Sequence, residues 1–138
     1  MPVAGAAAET RGMKRLVTLL LTFVAAVANY AAWLGWDQTR DVHPDGSTTG
    51  PYETWQVIGL GLVMLVAGAY AAWRWYPAMV VLGVTAGLTF AVSYDWSDDE
   101  TGLWAVGASM ICVGTFMASS FVAAIVTLIR QAAQRPVA

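Results

Sequence analysis

The sequence predicts an all-α integral membrane protein: a four-helix bundle that crosses the bilayer four times, N-in/C-in, with a short turn between the second and third spans. Three observations predict it. The chain is 58% hydrophobic and only 12% charged, roughly half the charge of an ordinary soluble domain. Its apolar residues gather into four long runs instead of being dispersed at helical or strand period, which separates membrane spans from the core elements of a soluble fold. Finally, its basic and acidic residues segregate to opposite ends of those runs.

Residues 1–15 are small and polar and end in Arg11, Lys14 and Arg15, without periodicity that would support a packed element. They are expected to form a cytoplasmic tail. The first span is expected at 16–36, about 20 residues, which at ~1.5 Å per residue matches the ~30 Å hydrocarbon core. The basic residues, the apolar stretch from Leu16 to Val27 and the run Ala26-Val27-Ala28 resemble a cleavable leader. Hydrophobicity continues past that point to Leu34, so a retained span is the expectation.

Asp37 to Gly50 is polar and holds Pro44, Gly46 and Gly50, so it is read as a loop. Pro51 suits the first turn of a helix, where its missing N–H costs nothing, and Glu53 near the third position complements the helix dipole. The second span is expected at 54–73. Trp73-Arg74-Trp75-Tyr76-Pro77 leaves room only for a tight turn, so the third span, 78–94, is the antiparallel neighbour of the second. Ser97-Asp98-Asp99-Glu100 fits a capping box and loads acids ahead of the fourth span, expected at 103–129. A tail, 130–138, follows. All four spans belong to a single domain, the fourth being longer than the bilayer requires, so that tilt or projection takes up the excess.

Orientation follows from the basic residues. Arg11, Lys14, Arg15, Arg74, Arg130 and Arg135 fall on one side and only Arg40 on the other. Short loops rich in Lys and Arg stay in the cytoplasm. Aromatics agree with two interfacial belts: Tyr30, Trp33, Trp36, Tyr52, Trp55, Tyr94, Trp96 and Trp104 map to the acidic end, and Tyr70, Trp73, Trp75 and Tyr76 to the basic end. Arginine exceeds lysine, and Ala, Gly and Val are abundant, a bias common in GC-rich bacterial genomes. The plasma (inner) membrane of a bacterium is the expected location.

Lipid tails solvate leucine as well as a neighbouring helix does, so helices associate through close backbone contact and hydrogen bonds. Small residues therefore mark expected contact faces: Thr22, Ala25, Ala26, Asn29 and Ala32 on the first helix, Gly61 and Gly68 on the second, Gly83 and Gly87 on the third, Gly107 and Gly114 on the fourth. The tight turn points Gly83 and Gly87 at the second helix, and the same GxxxG could form a homodimer face.

Candidate chemistry is sparse. Asn29 is the most polar side chain deep in any span, read first as an interhelical clasp and second as a ligand contact. Thr85, Thr89, Ser109 and Ser119, among other hydroxyls in the spans, are expected to return their hydrogen bonds to the helix backbone. At the acidic end, Glu53 and Asp95 each border an apolar span, with Gln56, Trp55, Tyr94 and Trp96 nearby in sequence. Two carboxylates converging in a partly dry aromatic pocket could act as acid and base on a small lipophilic substrate, and helix-end electrostatics is the competing explanation. Asp41-Val42-His43-Pro44-Asp45-Gly46 approaches a calcium loop, but histidine replaces the second acid and Tyr52 holds the position of the closing glutamate. A solvated turn is the expectation, with no metal and no cofactor. The lone Cys112 and lone His43 exclude an intrachain disulfide, a cysteine-pair redox centre and a bis-histidine haem from one chain.

No Asp, Glu, Lys, Arg or His lies in the interior third of any span, where such groups mark ion and proton paths. The helix number and length are near those of the small multidrug-resistance exporters, which depend on a glutamate within the first helix, and the first span here has none. A transporter or pore is therefore the third choice. A net charge of −2 without a basic patch argues against nucleic acid. The leading expectation is a non-catalytic accessory or interaction subunit whose partners are the lipid bilayer and either a second copy or a larger membrane complex. A membrane-embedded enzyme working through Glu53 and Asp95 is the alternative.

Overall fold

The computed structural model describes residues 2–35, 41–42, 44, 48–49, 54–98 and 101–136. Four α-helices dominate: α1 (Pro2–Tyr30), α2 (Thr54–Arg74), α3 (Pro77–Trp96) and α4 (Trp104–Gln134), and each is long and apolar enough to cross a membrane. α1 continues as a π-helical segment, Ala31–Gly35. Between α1 and α2, β1 (Asp41–Val42) and β2 (Thr48–Thr49) form a minimal antiparallel pair, with Asp41 opposite Thr49 and Val42 opposite Thr48. Of the stretch Asp41–Gly46, expected as a solvated turn, His43, Asp45 and Gly46 lie outside the described residues, as do Pro51 and Glu53.

Element boundaries differ from the sequence reading at three places, the smallest being the C-terminus, where α4 continues through Gln134 into the segment expected as a tail from 130. The N-terminal segment expected to lack a packed element is the first half of α1, and its side chains from Ala4 to Val17 are all exposed. It is exposed along its length, yet it is helical. Ala-, Glu-, Arg-, Met- and Lys-rich sequence propagates readily from an established helix, because the costly nucleus already exists in the span. The third difference concerns the capping box. Ser97 follows the end of α3, where its Oγ donates to the Tyr94 carbonyl at 2.9 Å, and α4 begins only at Trp104, with Leu103 at its N-cap and no side-chain cap. A serine so far upstream cannot reach the first free amides of the helix. The chain instead turns at Gly102, whose φ of +72° suits a residue without Cβ, while the Leu103 N–H donates to Thr101 Oγ1.

α3 is the hub: it packs on all three other helices and buries eight residues, whereas α4 buries only Ala108 and Ala123. α1 and α3 lie parallel and in close contact. A Cβ on Gly87 would stand 2.6 Å from the Phe23 carbonyl oxygen and 2.9 Å from Ala26 Cβ, and one on Gly83 would overlap the Thr22 hydroxyl. The GxxxG of α3 thus grips α1 and not, as the short turn suggested, α2. A turn fixes which helices are sequential neighbours, but the rotation of each helix about its own axis decides where its glycines face.

The core divides into two clusters. Tyr30, Leu34, Leu60, Ala91, Val92 and Ala108 form the larger, and Ala71, Val80 and Val84 the smaller, next to the α2–α3 turn. Outside them the surface is strongly apolar: Val66, Phe90, Met110, Met117 and Phe121 are all exposed. That is the surface of a protein solvated by hydrocarbon. At the turn end, the Arg15 guanidinium lies 5.5 Å from the centre of the Tyr76 ring, which brings the basic end of α1 to the same side as Arg74.

Candidate functional site

Two regions could carry function: a set of polar contacts at the end of the bundle remote from the α2–α3 turn, and an apolar trough along α2, α3 and α4.

The polar contacts begin with the antiparallel pairing of α1 and α2. Asn29 Nδ2 donates to the Leu60 carbonyl at 3.2 Å and lies 3.9 Å from Met64 Sδ, and one helical turn away Gln56 Nε2 donates to the Trp33 carbonyl at 3.0 Å. Gln56 is completely buried. Its acceptor belongs to the π-helical segment, where the wider i→i+5 pattern reorients carbonyls away from the ordinary ladder. On the other flank of α1, the buried Tyr30 donates its hydroxyl proton to Asp95 Oδ2 at 2.6 Å, a short bond to a carboxylate that ties α1 to the end of α3. Asn29, Tyr30 and Gln56 are thus fastened to neighbouring helices, which is the clasp expected of Asn29. The contributions of Tyr30, of the π-helical turn and of the Trp33 carbonyl are not legible in the sequence, because nothing in local sequence reports which carbonyl a π-turn presents.

Among the described residues, the aromatics grouped with these in the sequence point apart from one another. Tyr94 is 80% exposed and Trp55 is 57% exposed. Trp55 meets Trp33 edge-on at 6.2 Å, and the Trp33 ring covers Gly59. Trp96 turns the other way and covers Gly107 of α4. Glu53, the second carboxylate of the enzymatic alternative, lies outside the described residues. Among the described residues, no group of three or more His, Cys, Asp or Glu side chains is placed to hold a metal ion.

Hydroxyls in the spans divide. Ser109 and Ser119 donate to carbonyls one turn earlier, as expected, and Thr18 and Thr22 do the same. Thr85 and Thr89 do not: their buried Oγ1 atoms have no hydrogen-bond partner. The two lie one turn apart on the α3 face that leads to Trp96 and its contact with α4.

The trough has a cavity volume of about 460 Å³. Each of three helices contributes one stripe at i, i+3/i+4 spacing: Val57, Gly61, Met64 and Gly68 from α2, Val80, Val84 and Leu88 from α3, and Ile111, Gly114 and Ala118 from α4. Gly61, Gly68 and Gly114, expected to pack helix on helix, face open space, since a Cβ on any of them would meet nothing within 4 Å. Of the expected packing glycines, Gly83, Gly87 and Gly107 contact a neighbour within the chain. None of Asn29, Trp55, Gln56, Tyr94, Asp95 or Trp96 lines the trough.

Fold and surface together define the class: an integral membrane four-helix bundle. Comparison with protein-family models, with curated proteins and with solved structures gives no match at any of the three levels.

Proposed function

We propose that the chain is a non-catalytic membrane subunit that packs, through α4, with a second copy of itself or with a larger membrane complex. The observation that carries this reading is the state of α4. Of its 31 residues only Ala108 and Ala123 are buried, and at ~1.5 Å per residue it is about 46 Å long, well beyond a ~30 Å hydrocarbon core. α3 and, less extensively, α2 hold it on one side, leaving Met117 and Phe121, at 65% and 68% exposure, open to a neighbour. The polar side chains that a reaction centre would need support the same reading, since Asn29, Tyr30 and Gln56 are spent on helix–helix bonds.

The orientation that goes with this role is N-in/C-in across a bacterial plasma membrane. It is supported by the arginine distribution and by the proximity of Arg15 to Tyr76 at the turn.

Cysteine cross-linking in native membranes tests the role. In a Cys112→Ser background, Met117→Cys presents a thiol half a revolution around α4 from Ala108. Oxidation is expected to give a disulfide-linked dimer or a heteromeric adduct. Exclusively monomeric product, together with a strict monomer after mild solubilisation, would overturn the proposal.

A further inference from the structure

We propose that the α2–α3–α4 trough binds one acyl chain of an anionic phospholipid, with Arg130 holding the phosphate. This goes beyond the subunit role and does not depend on it, since the trough is enclosed by three helices of one chain.

Dimensions argue for a chain. From Val57 to Ala72 the α2 wall extends about 22 Å at 1.5 Å per residue, so the trough, with a volume near 460 Å³, is long and narrow. An extended apolar chain matches that shape. The length exceeds the ~15 Å depth of one leaflet, so a chain descending from the headgroup layer stays within the walls.

The chemistry of the walls agrees. Their hydroxyls are those of Thr115 and Ser119, and Ser119 Oγ turns back to the Thr115 carbonyl. No charged side chain lines the trough, so it offers a polar ligand nothing to pair with, whereas a hydrocarbon chain forfeits nothing there. The glycines give the trough its depth: Gly61, Gly68 and Gly114 each leave vacant the volume that a larger side chain would occupy.

Charge fixes which end receives the headgroup. The trough runs out beside Ala72, Val80 and Ala123, at the α2–α3 turn. Arg130 follows Ala123 by two turns, about 10 Å further along the same face of α4, at the level where a phosphate would sit. From Thr54 to Tyr94 and from Thr101 to the last residue the sequence contains no Asp or Glu, so the three trough helices supply no acid near that end to neutralise Arg130. Arg130 is partly buried, and a long arginine side chain at a helix end is suited to reach a phosphate at the interface.

Native mass spectrometry of the detergent-solubilised chain, titrated separately with palmitoyl-oleoyl phosphatidylglycerol, the matching phosphatidylcholine and glycerol phosphate, tests the site. One phospholipid per chain is expected, with phosphatidylglycerol about fivefold favoured over phosphatidylcholine, the preference one arginine near the surface confers. Glycerol phosphate, lacking the chain, should not bind. Gly61→Leu/Gly114→Leu, which fills open space, is expected to keep the wild-type helicity and melting and to lose both phospholipids at least tenfold. Arg130→Gln is expected to bring the two lipids to parity while phosphatidylcholine binding persists. A second measurement needs no variant: phosphatidylglycerol carrying a diazirine in its acyl chain should label the walls at Met64, Leu65 and Ile111 ahead of the outer face at Val66 and Val113. Even labelling around the bundle, undiminished lipid on the filled variant, an unchanged preference in Arg130→Gln, or a change in oligomeric state in place of lipid loss would each overturn the proposal.

Discussion

Substituting alanine for the glycines separates those that hold the bundle together from those that do not. At Gly87 a new Cβ would stand 2.6 Å from the Phe23 carbonyl oxygen, 2.9 Å from Ala26 Cβ and 3.1 Å from Phe23 Cα. Two of these three atoms are backbone and the third is a methyl on the backbone, so no rotamer change can relieve the overlap. α1 and α3 must move apart by several tenths of an ångström along their closest seam. Overpacking of this kind costs about 1–3 kcal/mol. Against it stands the helix-propensity gain of alanine over glycine, at most about 1 kcal/mol. That gain shrinks if the unfolded state in detergent is still helical. Gly87→Ala is therefore expected to lose roughly 1–2 kcal/mol. Gly114→Ala meets nothing within 4 Å and keeps only the gain, so it should be neutral or up to about 1 kcal/mol more stable. Reversible unfolding in mixed micelles by titration with sodium dodecyl sulfate, followed by tryptophan fluorescence and circular dichroism, measures both. A Gly87→Ala chain at or above wild-type stability, or a Gly114→Ala chain clearly below it, would refute the assignment of Gly83 and Gly87 to the α1 seam.

The polar clasps give further expectations. Asn29→Leu removes the donor to the Leu60 carbonyl and should cost ~0.6–2 kcal/mol in the same titration. Tyr30→Phe keeps the ring and deletes the bond to Asp95; a charge-assisted hydrogen bond is worth about 1.5–3 kcal/mol, and hydrogen exchange should show the ends of α1 and α3 opening more readily. Gln56→Ala both strips the Trp33 carbonyl of a donor and leaves a void at a fully buried position, with an expected loss of about 2–4 kcal/mol by melting. Reporter fusions at the N-terminus and within the Arg74–Pro77 turn should report the same side of the membrane, because Arg15 and Tyr76 meet there; opposite sides would contradict the bundle.

How much could be read in advance differs between the fold and the candidate sites. Asn29 stood out in sequence because an amide deep in an apolar run must find a partner, and it does. Sequence places Gln56 beside Glu53 as a candidate ligand contact, whereas among the described residues it is the most completely buried polar side chain, because the π-helical turn after Tyr30 carries the Trp33 carbonyl to it. Trp55 and Tyr94 looked like pocket walls from their proximity to acids in the chain but are largely exposed. Proximity along a helix end does not specify the direction in which a side chain points. Gly59 carried no motif, whereas the Trp33 ring packs against it.

The number of helices, their approximate bounds, the tight turn before Pro77 and the gathering of arginines at one end were settled by the sequence, since each rests on a property that adds up residue by residue along one dimension. A helix must stay apolar for the thickness of the hydrocarbon, and proline and arginine act where they stand. Which faces meet was decided only in three dimensions. With lipid tails as good a solvent for leucine as another helix, composition leaves the rotation of each helix undetermined, and close fit alone chooses among rotations. That choice set Gly83 and Gly87 against α1, and it left Gly61, Gly68 and Gly114 facing a long, narrow trough.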